Sequence, residues 1–227
     1  MTPATIAFFD VDETLISIKS MFSFQRFYLQ RKLGKAQGER AHQSATRRMR
    51  QWQADGVDRT TINRRFYEVF NGHRPGPLRE TAHVWYHQLA TAPGFFIDAA
   101  LTALRQHQEA GHSVAFVSGS AMDFLQPLAD DLGVSYLLAN QMEVKDDRYT
   151  GQLIEPQTIG AGKREVVSRL LTELRIDPAA CHGYGDHLSD VPMLEYLGHP
   201  HVVVHDPAML ALANARGWPL LPATPLT

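Results

Sequence analysis

The stretch TIAFFDVDETL, residues 5–15, sets the reading of the whole chain. Its first half, Thr5 to Phe9, is a short apolar run rich in strand formers, and it ends abruptly in Asp10, Asp12 and Glu13. That pattern predicts a buried strand with acids at its carboxyl end. Two carboxylates spaced two apart on an extended segment point to opposite faces, so they can cooperate only where the chain turns. After such a turn, one can act as nucleophile and the other as general acid and base to a leaving oxygen.

Working outward, strands and helices alternate after Gly94. Helices are expected over Asp98 to Ala110, Ala121 to Leu132, Lys163 to Leu174, Asp190 to Leu197 and Pro207 to Ala215. Strands are expected over Ser113 to Val117, Val134 to Leu138, Cys181 to Tyr184 and His201 to Val204. Gln141 to Val144 and Tyr149 to Leu153 flank the polar turn KDDR and predict a β-hairpin. From Ile18 to about Leu89 the apolar spacing is instead helical, with Met21, Phe24, Phe27 and Tyr28 on one side, divided by Gly34, Gly38, Gly56 and the GHRPGP stretch at 72–77.

The fold class is therefore α/β: a Rossmann-like, mainly parallel sheet with helices on both faces, interrupted by an all-helical insertion. Ligands in such sheets bind beyond the carboxyl ends of the strands. Asp10, Asp12, Ser118, Asp186 and Asp190 all fall just after predicted strands, so topology should gather them on one edge.

Composition narrows the function classes. Of 227 residues, 44% are hydrophobic and 20% charged, which excludes collagen-like, disulfide-scaffold and disordered chains. The single cysteine, Cys181, can form no internal disulfide and no thiolate cluster for zinc, which points to a reducing compartment. No apolar run approaches the roughly 18 residues of a membrane span, and the N-terminus lacks a basic segment, so a cytoplasmic protein without membrane contact is expected. The net charge of −2 hides a division. Residues 17–95 hold 14 Lys and Arg against 5 Asp and Glu, while the remainder holds 8 against 19. A basic lid over an anionic substrate and a solvated arginine-rich helix face both fit that division.

Several local motifs fail on inspection. Gly160, Gly162 and Lys163 suggest a P-loop, but Gln157 stands at its first glycine and Arg164 at its Ser/Thr. His182, His187, His199, His201 and His205 raise zinc, but no cysteine accompanies them and the adjacent ligands are hard oxygens. Arg47, Arg48 and Arg50 lack the aromatic platform of a nucleic-acid reader, so no nucleic-acid partner is expected.

With these residues in order, the sequence resembles the haloacid dehalogenase superfamily of phosphatases, subfamily IB, the phosphoserine phosphatase-like branch. The resemblance rests on Asp10-Val11-Asp12-Glu13-Thr14, Val117-Ser118-Gly119-Ser120, Lys163, and Gly185-Asp186 with Asp190, and it runs over nearly the whole chain. It implies a core domain of residues 1–16 and 94–227 with an inserted helical cap domain of residues 17–93. It also implies a magnesium-dependent phosphomonoesterase acting on a small phosphorylated metabolite through an aspartyl-phosphate. Asp10 would be the nucleophile and Asp12 the acid and base. Mg2+ would be held by Asp10, the Asp12 carbonyl and Asp186, with Asp190 positioning the metal or its waters. Thr14, Ser118, Gly119 and Lys163 would face the phosphoryl group.

Glu13 and Ser189 depart from residues common in the branch, without removing a catalytic group. Lys19 departs more consequentially, standing where phosphoserine phosphatases typically have a Glu for the substrate ammonium. That change, with Arg26, Arg47, Arg48 and Arg50 as candidate contributors, points to a substrate with a second anionic or acceptor-rich group besides the phosphate, the alternative being a Lys19 that points to solvent with specificity set by other residues of the insertion. Phosphotransfer to an alcohol and a catalytically silent binding protein are the alternative readings, and a homodimer is compatible with all of them.

Overall fold

Residues 5–223 are described by a computed structural model, and in them β1 (Ile6–Phe9) is the central strand. All four of its residues are fully buried because both faces of the sheet are covered, which is why it reads as a continuous apolar run. The other strands are β2 (Ser113–Ala121), β3 (Tyr136–Lys145), β4 (Arg148–Ile154), β5 (His182–Gly185), β6 (His199–Val204) and β7 (Leu220–Pro222). They form one seven-stranded sheet in the order β4-β3-β2-β1-β5-β6-β7, parallel except for β4. Ala7 pairs with Val114 on one side and His182 on the other, so strand order reverses at β1. A crevice opens at such a reversal, beyond the carboxyl ends of the strands.

The helices are α1 (Ser20–Leu33), α2 (Lys35–Ala54), α3 (Arg59–Phe66), α4 (Pro75–Ala90), α5 (Asp98–Glu109), α6 (Met122–Asp131), α7 (Ala161–Leu174), α8 (Val191–Leu194) and α9 (Pro207–Arg216). Alternation along β1 sorts them. Ile6 and Phe8 face Val167 and Leu171 of α7, Met193 of α8 and Met209 of α9. Ala7 and Phe9 face the other way, toward Leu104 of α5 and Phe124 of α6.

The helices α1 to α4 occupy the insertion, and their breaks fall at Gly34, Gly56 and Gly72, all at positive φ. Gly38 of α2 serves a different purpose, because a Cβ there would lie 2.4 Å from the Gln30 backbone of α1. This helical stretch shares its hydrophobic cluster with the sheet: Phe24, Phe66, Tyr67, Phe70, Leu78, Trp85 and Tyr86 pack together with Phe9, Phe116 and Phe124. Phe24 and Phe124 lie 4.2 Å apart between ring centroids.

Three elements differ from the sequence reading. The strand at Tyr136 runs on to Lys145, and the hairpin turn to β4 is made by Asp146 and Asp147 at φ 49° and 58°. The helix expected over Asp190 to Leu197 shrinks to a short 3-10 turn and the four residues of α8. The chain also adds β7, a three-residue edge strand parallel to β6, which no pattern announced.

If the helical stretch and the sheet share one core, Phe24→Ala should lower unfolding free energy by about 3–5 kcal/mol and leave a single unfolding transition. Calorimetry checks this, and two separate transitions in the wild type would contradict it.

Candidate active site

Asp10 is the first residue beyond β1, and its N–H continues the ladder by donating to the Tyr184 carbonyl of β5 at 2.9 Å. The chain then turns tightly. Leu15 and Ile16 both donate to the Val11 carbonyl, and Glu13 donates to Ile16. Glu13 takes φ 63°, a left-handed conformation costing a side-chain-bearing residue roughly 1–2 kcal/mol. The turn brings Thr14 back to the strand end, where its hydroxyl donates to Asp186 Oδ1 at 2.9 Å and lies 3.4 Å from Asp10 Oδ2.

Lys163 enters from the first turn of α7. Its ammonium donates to Asp10 Oδ1 and to Asp190 Oδ1, each at 2.6 Å, with all three side chains buried. The glycines before it make the approach possible: Gly160 takes φ 55°, and a Cβ on Gly162 would lie 1.8 Å from the Gln157 carbonyl. Asp190 is used on both oxygens, since Oδ2 accepts the backbone N–H groups of Asp186 and His187 at 3.2 and 3.1 Å. Gly185 leaves room for it, because a Cβ there would be 2.7 Å from the Asp190 Cβ.

A bulge in β2 between Ser118 and Ala121 forms the other wall. Ser118 Oγ accepts the Ser120 N–H at 3.1 Å. The Gly119 carbonyl accepts three donors, Asn63 Nδ2 at 3.0 Å, Tyr67 OH at 2.8 Å and Asn140 Nδ2 at 2.7 Å. Gln157 extends the network by donating to Asn63 Oδ1 at 2.6 Å and to the Thr60 carbonyl. Asn63, Tyr67, Asn140 and Gln157 had no assigned role in the sequence reading.

The charges do not balance. One ligand oxygen from each of Asp10, Asp186 and Asp190 lies within 4.8 Å of the others, and among the described residues Lys163 is the one ammonium bonded to them. Burial, then the charges of Asp10 and Asp190, push Asp186 up to about 9. Asp10 is also raised, by burial against the opposing pull of Lys163. Burial would lower Lys163, but the two carboxylates outweigh it and hold it charged. Asp12 is pushed up to about 7 by burial, with Ser20 acting in the opposite sense and Asp10 in the same one. Its Oδ1 is buried without a hydrogen-bond partner among the described residues. An all-oxygen donor set with excess negative charge fits a hard divalent cation such as Mg2+. With both Asp190 oxygens engaged, Asp10 and Asp186 have the freer ones.

The basic residues are dispersed. Lys19 is half exposed and pairs with Glu13 at 3.2 Å, and Arg26 is paired with Glu39 at 2.7 Å. Arg47, Arg48 and Arg50 are exposed on α2. Arg59 reaches His187 Nε2 at 2.6 Å, and Arg64 pairs with Glu155 at 2.6 Å and donates to Gln157. Arg59 and Arg64 were not singled out in the sequence, because nothing in the spacing of an arginine-rich helix marks the side facing a distant loop.

A doubly wound sheet with clustered acids at its switch point and a helical insertion after the first strand defines the class. The family model for haloacid dehalogenase-like hydrolases matches residues 7–195. The chain is 32% identical over 223 residues to the inhibition of morphological differentiation protein of Streptomyces azureus, covering 96% of this chain and 78% of that one. It is 30% identical over 221 residues to a protein of Mycobacterium tuberculosis named as a probable phosphatase, covering 96% and 75%. Among solved structures, a Bordetella pertussis protein of unknown function superposes with a TM-score of 0.86 at 23% identity, over 98% of this chain and 100% of that one. A substrate-bound phosphoserine phosphatase does so with a TM-score of 0.65 at 16% identity, over 91% and 89%. The chain belongs to the haloacid dehalogenase-like hydrolases, among the phosphatases of the phosphoserine phosphatase-like type. No helix of the described residues is long and apolar enough to cross a membrane.

The raised carboxylates set a pH signature. Asp186, at about 9, and Asp12, at about 7, lie above the ordinary 3.8, so the folded chain binds protons that the unfolded chain has released. Their contribution in chelator is fully present below pH 3.8 and is lost as pH rises toward about 9. A cation among these carboxylates needs Asp186 deprotonated, so Mg2+ should raise the melting temperature more at about pH 8 than at about pH 6. Thermal melts with chelator and with Mg2+ check this, and equal or reversed gains would contradict it.

Proposed function

We propose that the chain is a magnesium-dependent phosphomonoesterase of small phosphorylated metabolites, working through an aspartyl-phosphate on Asp10. The observation that carries this reading is the pairing of two different carboxyls on one turn. Asp10 is held against the Lys163 ammonium at 2.6 Å, while Asp12, pushed up to about 7, keeps a buried oxygen free of partners. Such a difference in environment suits one carboxylate to attack and the other to carry a proton near neutral pH.

In the first step an Asp10 oxygen bonds to phosphorus, the ester P–O bond breaks, and Asp12 gives its proton to the departing alkoxide. In the second, Asp12 takes a proton from water as the water oxygen bonds to phosphorus. The acyl-phosphate P–O bond breaks, returning Asp10 and releasing phosphate. Ser118 Oγ and the N–H groups around Gly119 grip the phosphoryl oxygens, with Lys163 countering charge beside Asp10. Asp10, Asp186 and the Asp12 carbonyl would hold Mg2+, which when bound offsets phosphoryl charge, and Asp190 braces Lys163 and the loop.

Asp10→Asn should abolish turnover, because an amide cannot be the attacking group. Asp12→Asn should retain the nucleophile and lose on the order of 10² to 10⁴ in rate. A steady-state assay with an aryl phosphate and Mg2+ checks both, and full activity in chelator or in Asp10→Asn would sink the reading.

Substrate choice follows from the rim. Arg59 reaches the His187 ring at 2.6 Å, and Lys19 pairs with Glu13 in the turn that follows Asp10 and Asp12. A substrate with a second anionic group meets those cations favourably, and a substrate ammonium does not. Phosphorylated hydroxy acids should therefore show higher kcat/KM than phosphoserine, with the preference reduced in Lys19→Ala. A preference for phosphoserine, unchanged by Lys19→Ala, would remove Lys19 from specificity.

A further inference from the structure

The opposite edge of the sheet carries a second cluster, made of imidazoles. His182 opens β5, and alternation puts its side chain on the same face as Tyr184. His199 and His201 of β6 pair with those two residues and extend the stripe. The helix α5 covers this face and supplies His107 from its last turn, and the turn that follows supplies His112. His182 lies 4.5 Å from His107 and 6.0 Å from His112 between ring centroids.

One ring nitrogen from each of His107, His112 and His182 lies within 4.8 Å of the other two. His107 Nδ1 and His112 Nδ1 are 2.9 Å apart. His107 Nε2 is 2.9 Å from the Tyr184 hydroxyl, which suits a tautomer with the proton on Nε2 and the Nδ1 lone pair facing His112. This is the outer-sphere arrangement that fixes a ligating histidine, whose second ring nitrogen donates to a neighbouring oxygen. His182 Nδ1 is buried with no hydrogen-bond partner among the described residues. Packing alone explains stacked rings, but it leaves that nitrogen unsatisfied at a cost of about 1–3 kcal/mol.

We propose that His107, His112 and His182 form a transition-metal site of the three-imidazole kind that Zn2+ occupies, at the amino edge of the sheet and separate from the carboxylate cluster. Three neutral imidazoles are a recognised zinc ligand set, with the fourth position left to water. Burial, the largest cause, and the neighbouring histidines lower both His107 and His182 to about 4, so both rings keep their lone pairs at neutral pH. Asp186 stands four positions beyond His182, about 13 Å along a strand, so one ion cannot serve both clusters. Ligand chemistry divides the cations, with Mg2+ suited to the oxygens and Zn2+ to the imidazoles. The site would tie α5 to β5, and it does not depend on the phosphatase reading.

The test is calorimetric titration of the full chain with ZnCl2 in excess Mg2+, alongside Co2+ titration followed by visible absorption. The wild type should bind one equivalent of Zn2+, show the intense absorption of tetrahedral Co2+, and gain melting temperature with Zn2+. His112→Gln and His182→Gln should each weaken Zn2+ binding at least 100-fold and abolish the Co2+ signal. Tyr184→Phe, which keeps the ring and loses the hydroxyl, should weaken it about tenfold. His112 is partly exposed, so His112→Gln decides the matter alone if His182→Gln does not fold. Zn2+ binding unchanged in His112→Gln would overturn the proposal, because the ion would then sit elsewhere. Absence of Zn2+ binding in the wild type would overturn it as well.

Discussion

The Lys163 ammonium, held at 2.6 Å from both Asp10 and Asp190, is the interaction on which the rest of the architecture depends. Isolated buried carboxylates are too costly to gather at a sheet edge, and one well-bonded cation offsets part of that cost. Its placement dictates local structure in three segments. α7 must begin hard against the chain before it, which only Gly162 permits with the Gln157 carbonyl in the way. The loop after β5 must fold back so that Asp190 can take both Lys163 and two backbone N–H groups. Gly185 must lack a side chain for that loop to close over it. The GAGK and GDHLSD stretches thus make sense as the means of burying one charge cluster.

A second constraint joins the helical stretch to the sheet. The Gly119 carbonyl is held by two side chains from the insertion, Asn63 and Tyr67, and one from β3, Asn140. A peptide oxygen with three donors has little freedom, so the neighbouring Ser118–Gly119 segment inherits its orientation from both parts of the molecule. The helical insertion is therefore coupled to the sheet through polar bonds as well as through the shared hydrophobic cluster. Any movement of α3 away from the sheet breaks two of the three bonds that orient this segment.

Legibility in the sequence followed the range of the interactions. β1, the acids after it, β5 with Asp186, and the start of α7 were readable because each is a local pattern of apolar run and polar stop. The Gly119 network was not, because Asn63 and Gly119 are separated by 56 residues and Gln157 and Asn63 by 94. β7 is not legible because two leucines between prolines carry no period, and its partner strand alone defines it. α8 was overextended because the apolar residues Met193, Leu194 and Leu197 suit either a helix or a short turn packed on β5. Charge was legible as a total but not as a distribution. Of the arginines in the helical insertion, Arg26 is paired with Glu39, while Arg59 reaches the His187 loop from a helix that nothing in the spacing distinguishes.

The histidines show the same limit from the other side. Along the chain, His182, His187, His199, His201 and His205 look like one group, and the absence of cysteine and the nearness of acids argued against a metal there. Folding divides them. His187 belongs with Arg59 at the carboxyl edge, while His182 turns to the amino edge and meets His107 and His112, which no sequence window includes. The acids that argued for hard oxygen ligands are thereby removed from the imidazoles, and the objection loses its force. β5 thus runs from a nitrogen-rich environment at His182 to an oxygen-rich one beyond Gly185, and ligand type along that one short strand suits its two ends to different cations.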